Sequence, residues 1–128
     1  MKRFLTIFIL ILTGLTSQGQ SISEIQGQGA DSPFDGQVVT TTGIVTSSFI
    51  TGSNPTSAYF LQDGSGQRSG IYVYDGNFTP AVGDEIEITA TVDEFFELTE
   101  LVDVTELTVL SSGNDLPAPA VISTAESN

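Results

Sequence analysis

Asp93, Glu94 and Glu97, with Glu100 close behind, form the densest group of chemically capable side chains in this 128-residue sequence. Two carboxylates at the right separation can act as acid and base, or nucleophile, in glycoside hydrolysis. The same group could hold a hard divalent cation, calcium or magnesium, which takes several oxygen ligands. A solvated acidic turn is the reading these residues favour over either. A second set is aromatic. Tyr72 and Tyr74 alternate along one short run, so their rings share a face and could stack nucleobases. Ordinary surface tyrosines on a strand would look the same.

The absent residues narrow the chemistry further. The chain has no His and no Cys. The commonest general base and metal ligand is therefore missing, and no disulfide framework exists. Serines and threonines are plentiful, but outside the first few residues no His or Lys is available to activate one. Asp63-Gly64-Ser65-Gly66 lacks the later acidic ligands of a calcium loop. Gly27-Gln28-Gly29 is a turn and not a phosphate loop, because no helix or third spaced glycine follows. Asn77-Phe78-Thr79 has the form of a glycosylation sequon, with Pro80 disfavouring its use. The expectation is that this chain hydrolyses nothing on its own.

Charge sets a second limit. The net charge is −13, and removing Lys2 and Arg3 takes it to −15, with Arg68 the one remaining basic side chain. Such a surface repels polyanions and attracts cations. Phosphate contacts, which dominate non-specific nucleic-acid affinity, need Lys and Arg.

Lys2 and Arg3 precede an apolar stretch from Phe4 to Leu12, which gives way to small and polar residues up to Gln20. This is the layout of an export signal, with cleavage expected after Gly19 and a secreted product, extracellular or periplasmic. The apolar stretch is shorter than the ~20 residues of a membrane span. A buried N-terminal helix is the alternative. Residues 1–19 are thus assigned to the signal and residues 20–36 to a lead-in segment. In that lead-in, Ser21 and Glu24 have the spacing of a capping box, so either one helical turn or plain coil is expected.

Residues 37–110 read as strands. Gln37–Ile50 is rich in Val, Thr and Ile, and Gly43 in its middle suggests a bulge or bend. Tyr59–Gln62 and Ile71–Tyr74 form two short strands. In the second, Ile71 and Val73 face one way and the tyrosines the other. Ile86, Ile88, Ala90 and Val92 alternate with Glu85, Glu87, Thr89 and Thr91, which predicts a half-buried strand with an acidic outer face. Asp93–Glu97 is expected to turn around Phe95 and Phe96. A last strand, Thr99–Leu110, should break near Asp103. Residues 111–128, with Gly113, Pro117 and Pro119, read as a linker. Five strands, little helix and dense turn signals predict an all-β fold, a small five-stranded barrel. An open sandwich is the competing architecture.

The ordered set of motifs carries a resemblance. It consists of the Ile25–Pro33 lead-in, Val39–Val45, Phe60-Leu61-Gln62-Asp63, Gly70-Ile71-Tyr72-Val73, Val82-Gly83-Asp84, and Glu94-Phe95 running to Thr99-Glu100-Leu101. In this order they resemble the N-terminal OB-fold-like domain of bacterial extracellular nucleases of the endonuclease/exonuclease/phosphatase type. The resemblance implies a Greek-key barrel and a non-catalytic accessory module. A metal-dependent phosphodiesterase domain would follow in the same polypeptide, beyond an exit segment like Asn114-Asp115-Leu116-Pro117. It also implies a ligand face on strands two and three, flanked by Thr51–Ala58 and Asp93–Leu98. Tyr59, Tyr72, Tyr74 and Arg68 are then the expected nucleic-acid contacts. Asp93, Glu94 and Glu97 are the expected metal ligands if calcium or magnesium takes part. A structural or interaction domain that contacts protein or glycan is the alternative function.

Overall fold

The computed structural model describes residues 19–51, 56–119 and 121. The expected export signal, nearly all of the first nineteen residues, lies outside them, as does the middle of the Thr51–Ala58 loop. The chain runs α1 (Ile22–Gln26), β1 (Val38–Thr51), β2 (Thr56–Gln62), β3 (Gly70–Asp75), β4 (Glu85–Phe95) and β5 (Leu98–Ser111). The strands close into a barrel in the order β1-β2-β3-β5-β4, which settles the choice between barrel and open sandwich. All pairings are antiparallel except β3 with β5. Among the described residues no helix is long and apolar enough to cross a membrane.

β1 is long because it serves both sides of the barrel. Val38 to Ile44 pairs with β4, and Ile44 to Thr51 pairs with β2. Gly43 sits at this exchange of partners. A Cβ there would lie 3.2 Å from the Gln62 carbonyl oxygen, so a side chain would press the end of β2 outward by a few tenths of an ångström. The ladder irregularity itself falls slightly later, between Val45 and Ser47. The expected break in the last strand is at Asp103, whose φ is 50°, and the β4–β5 register shifts opposite it, between Thr89 and Thr91.

The predicted inner face of β4 is the core. Ile86, Ile88, Ala90 and Val92 are all buried, with Val39, Val45, Leu61, Ile71, Val73 and Leu101 around them. The capping box at Ser21 forms: Ser21 accepts from the Glu24 amide, and Glu24 accepts from the Ser21 amide. The single turn it starts closes one barrel end with Ile22 and Ile25, both fully buried. Asp63 fastens this turn by accepting from the Ile22 amide at 2.8 Å.

Val82-Gly83-Asp84 proves structural. Gly83 has φ 89° and donates to the Val45 carbonyl, while the Asp84 carboxylate accepts from the Ala81 amide. Asn114 then packs on this turn, its side-chain and backbone N–H groups both donating to the Gly83 carbonyl. The start of the expected linker is therefore anchored to the barrel and does not leave it at Ser111.

Candidate ligand face

Residues on one outer face of β1, β2 and β3 bring an aromatic cluster together. Phe60 and Tyr72 are register partners, with ring centroids 5.3 Å apart in an edge-on arrangement. Phe49 lies 6.4 Å from Phe60 and 6.3 Å from Tyr72. Tyr74 continues the row along β3. Phe49, Phe60 and Tyr74 are all 40–45% exposed. Large apolar rings held together and left in solvent mark a contact surface more often than isolated ones do.

The row does not stop at β3. Tyr72 is in register with Glu100 of β5, and Glu100 with Asp93 of β4. The sheet therefore runs Phe60, Tyr72, Glu100, Asp93 across four strands, two rings and then two carboxylates. A groove of ≈ 470 Å³ opens here, lined by Tyr72, Tyr74, Phe95, Leu98 and Glu100. Glu100 as a residue is only 8% exposed, yet its carboxylate oxygens reach solvent and accept no hydrogen bond among the described residues. Burial, and then the neighbouring Asp93, hold its carboxyl above the ordinary carboxylate range. Burial, and then Glu100, raise the Tyr72 hydroxyl in the same way.

The groove's far wall is the β4–β5 hairpin. Phe95 pairs with Leu98, so only Phe96 and Glu97 form the turn, with φ of 47° and 66°. Positive φ at both central residues defines a type I′ turn, a position that favours Asn-Gly. Here it holds a phenylalanine and a glutamate. Phe96 is 89% exposed and packs edge-on against Phe95 at 4.7 Å.

Several expected site residues lie elsewhere. Tyr59, expected beside Tyr72 and Tyr74, is fully buried; its hydroxyl donates to Asp75 Oδ2 at 2.9 Å. Alternation along β2 turns Phe60 outward in its place. Arg68 does not line the groove. It donates to the carbonyls of Gly27 and Gly29 at 2.8 and 3.0 Å, tying the β2–β3 loop to the lead-in. Asp93, Glu94 and Glu97 do not converge either. Asp93 and Glu94 are strand neighbours and so point to opposite faces, and Glu97 sits at the turn. Glu94 accepts from the Ser32 amide and the Thr99 hydroxyl, leaving Oε2 buried without a partner. Among the described residues no group of three or more His, Cys, Asp or Glu side chains could hold a metal ion.

Phe60 lies in the expected second strand, and Phe95 and Leu98 in the expected flank Asp93–Leu98, though none is singled out by the sequence; Phe49, from β1, is outside the expected face. The signal for Phe60 was present, since period two makes it the opposite of Tyr59. No protein-family model matches this chain, and no curated protein matches it.

Proposed function

We propose that this chain is the non-catalytic OB module of an exported nuclease, and that it acts by docking through its outer aromatic face. The observation that carries this reading is the exposed cluster of Phe49, Phe60 and Tyr72, continued by Tyr74, on the strands where OB barrels take their ligands. The absence of histidine supports a role without chemistry. In this role the module positions a metal-dependent phosphodiesterase domain of the same polypeptide.

A second reading is weak contact with single-stranded nucleic acid. The part-exposed rings of Phe49, Phe60 and Tyr74 favour it, because bases stack on exposed aromatic side chains at about 1–3 kcal/mol each. The net charge of −13 opposes it. If divalent cations bridge phosphate and carboxylate, affinity for an oligonucleotide should rise with millimolar magnesium, the reverse of an ordinary basic binder.

The test uses the complete product of the gene that encodes this chain. It should hydrolyse DNA in the presence of a divalent metal, and Phe60→Ala with Tyr72→Ala should lower that activity without lowering the melting temperature by more than a few degrees. The isolated barrel should cleave nothing. A gene product without nuclease activity, or an isolated barrel that has it, overturns the proposal.

A further inference from the structure

We infer that the groove between β3 and the β4–β5 hairpin receives a cationic side chain, lysine or arginine, from a basic segment of a protein partner. This inference rests on the docking role of the aromatic face and names the partner's chemistry there.

The lining has the two parts such a side chain requires. Phe95 and Leu98 offer apolar surface to an alkyl stem, and Tyr72 and Tyr74 offer ring faces to a cation. Glu100 then lies at the polar end, its side chain largely covered, its carboxylate oxygens still in reach of solvent and without a hydrogen-bond partner among the described residues, with Asp93 beside it in register. The Glu100 oxygens still reach solvent, so the carboxylate is free to pair, and an arriving ammonium or guanidinium supplies a partner that no described side chain does. The other occupants suit the groove less well. An apolar side chain would strip the last water from Glu100 and give nothing back. A phosphate would meet two carboxylates.

The rest of the molecule points the same way. Arg68, the one described basic side chain, is held at the lead-in loop, so nothing on this face neutralises Glu100 from within. A net charge of −13 steers basic partners inward and polyanions away. Phe96 extends the hairpin wall with an almost fully exposed ring on a left-handed backbone that local turn chemistry does not favour. Such a departure from local preference marks a residue kept for contact.

Fluorescence anisotropy with labelled peptides tests this. The probes are an alternating lysine–glycine peptide, the same peptide with every lysine acetylated, and an oligothymidylate. The lysine peptide should bind with an affinity that falls as salt rises. Acetylation removes every positive charge and should abolish this binding, whereas Glu100→Gln and Tyr72→Ala should each weaken it about tenfold, the loss of one charge-assisted or cation–π contact. Glu87→Gln removes an exposed β4 carboxylate outside the groove and should change affinity little. Glu100→Gln should also melt no lower than wild type at neutral pH. A carboxyl whose folded pKa is raised stabilises only at low pH, and that contribution is lost as pH rises through the folded value. Equal binding of the acetylated peptide, or an unchanged affinity in Glu100→Gln, overturns the inference while the docking face stands. Preferred binding of oligothymidylate, lost in Tyr72→Ala, overturns it in favour of base stacking. No binding by any probe overturns the inference and the docking role together.

Discussion

Tyr59→Phe isolates one buried interaction. The ring is fully enclosed, and its hydroxyl donates to Asp75 Oδ2 at 2.9 Å. Asp75 is also fully buried, and its other oxygen accepts from the backbone amides of Asn77 and Phe78 at 2.7 and 3.2 Å. The substitution keeps the ring in place and removes a single oxygen, so the void it leaves is slight. What is lost is one hydrogen bond to a carboxylate, and what remains is a buried oxygen with no donor. Hydrogen bonds to charged groups contribute about 1.5–3 kcal/mol. A loss of about 2 kcal/mol lowers Tm by about 8–16 °C, at about 4–8 °C per kcal/mol for a domain of this size. Burial and the Asp75 charge both raise the Tyr59 hydroxyl pKa, so the donor proton is present throughout the neutral range. Thermal melting followed by circular dichroism at pH 7 measures the shift, and urea titration checks it. A Tm change below about 3 °C would show that the buried pair contributes little and that this energetic reasoning is wrong. Because Tyr59 exposes no surface, the same variant should bind every peptide or oligonucleotide as wild type does.

Two further substitutions probe the frame around the site. Ile88→Asp places an unpaired charge at a position 1% exposed and should unfold the barrel; a melt within about a degree of wild type would show that the inner face is assigned wrongly. Phe96→Asn with Glu97→Gly restores the preferred type I′ pair and should stabilise the fold by about 1 kcal/mol while weakening lysine-peptide binding. An unchanged melt would mean the turn is not strained, and unchanged binding that Phe96 is not a contact.

What could be read from the chain divides along physical lines. β4 was legible because four apolar residues alternate with four polar ones over a full strand, and only one face can then be buried. The capping box was legible because its residues are neighbours in sequence. Tyr72 and Tyr74 were placed on the outer face by the same alternation, anchored by Ile71 and Val73. β2 failed the same test, because Ala58, Tyr59, Phe60 and Leu61 are all apolar or aromatic and show no period. The contacts of Arg68 and Asn114 are illegible in the sequence for another reason. Their partners, Gly27, Gly29 and Gly83, lie far away in sequence, and carbonyl acceptors leave no mark on composition. Asp93 and Glu94 are not brought together, because nearness along a strand separates neighbouring side chains onto opposite faces.

The β3–β5 pairing is the narrowest in the barrel, with only Tyr72↔Glu100 and Val73↔Leu101 in register. It is also the one parallel pairing, and parallel ladders hold slightly less well per residue. This seam is where the barrel should breathe. Transient opening there would expose Val73 and Leu101 before the longer antiparallel ladders part, so their amides should exchange with solvent sooner than those of β1 against β4. The proposed groove lies directly over the seam and draws on both of its edges, Tyr72 and Glu100. A ligand that grips both sides acts as a clasp, so its binding and the closure of the fold are thermodynamically linked.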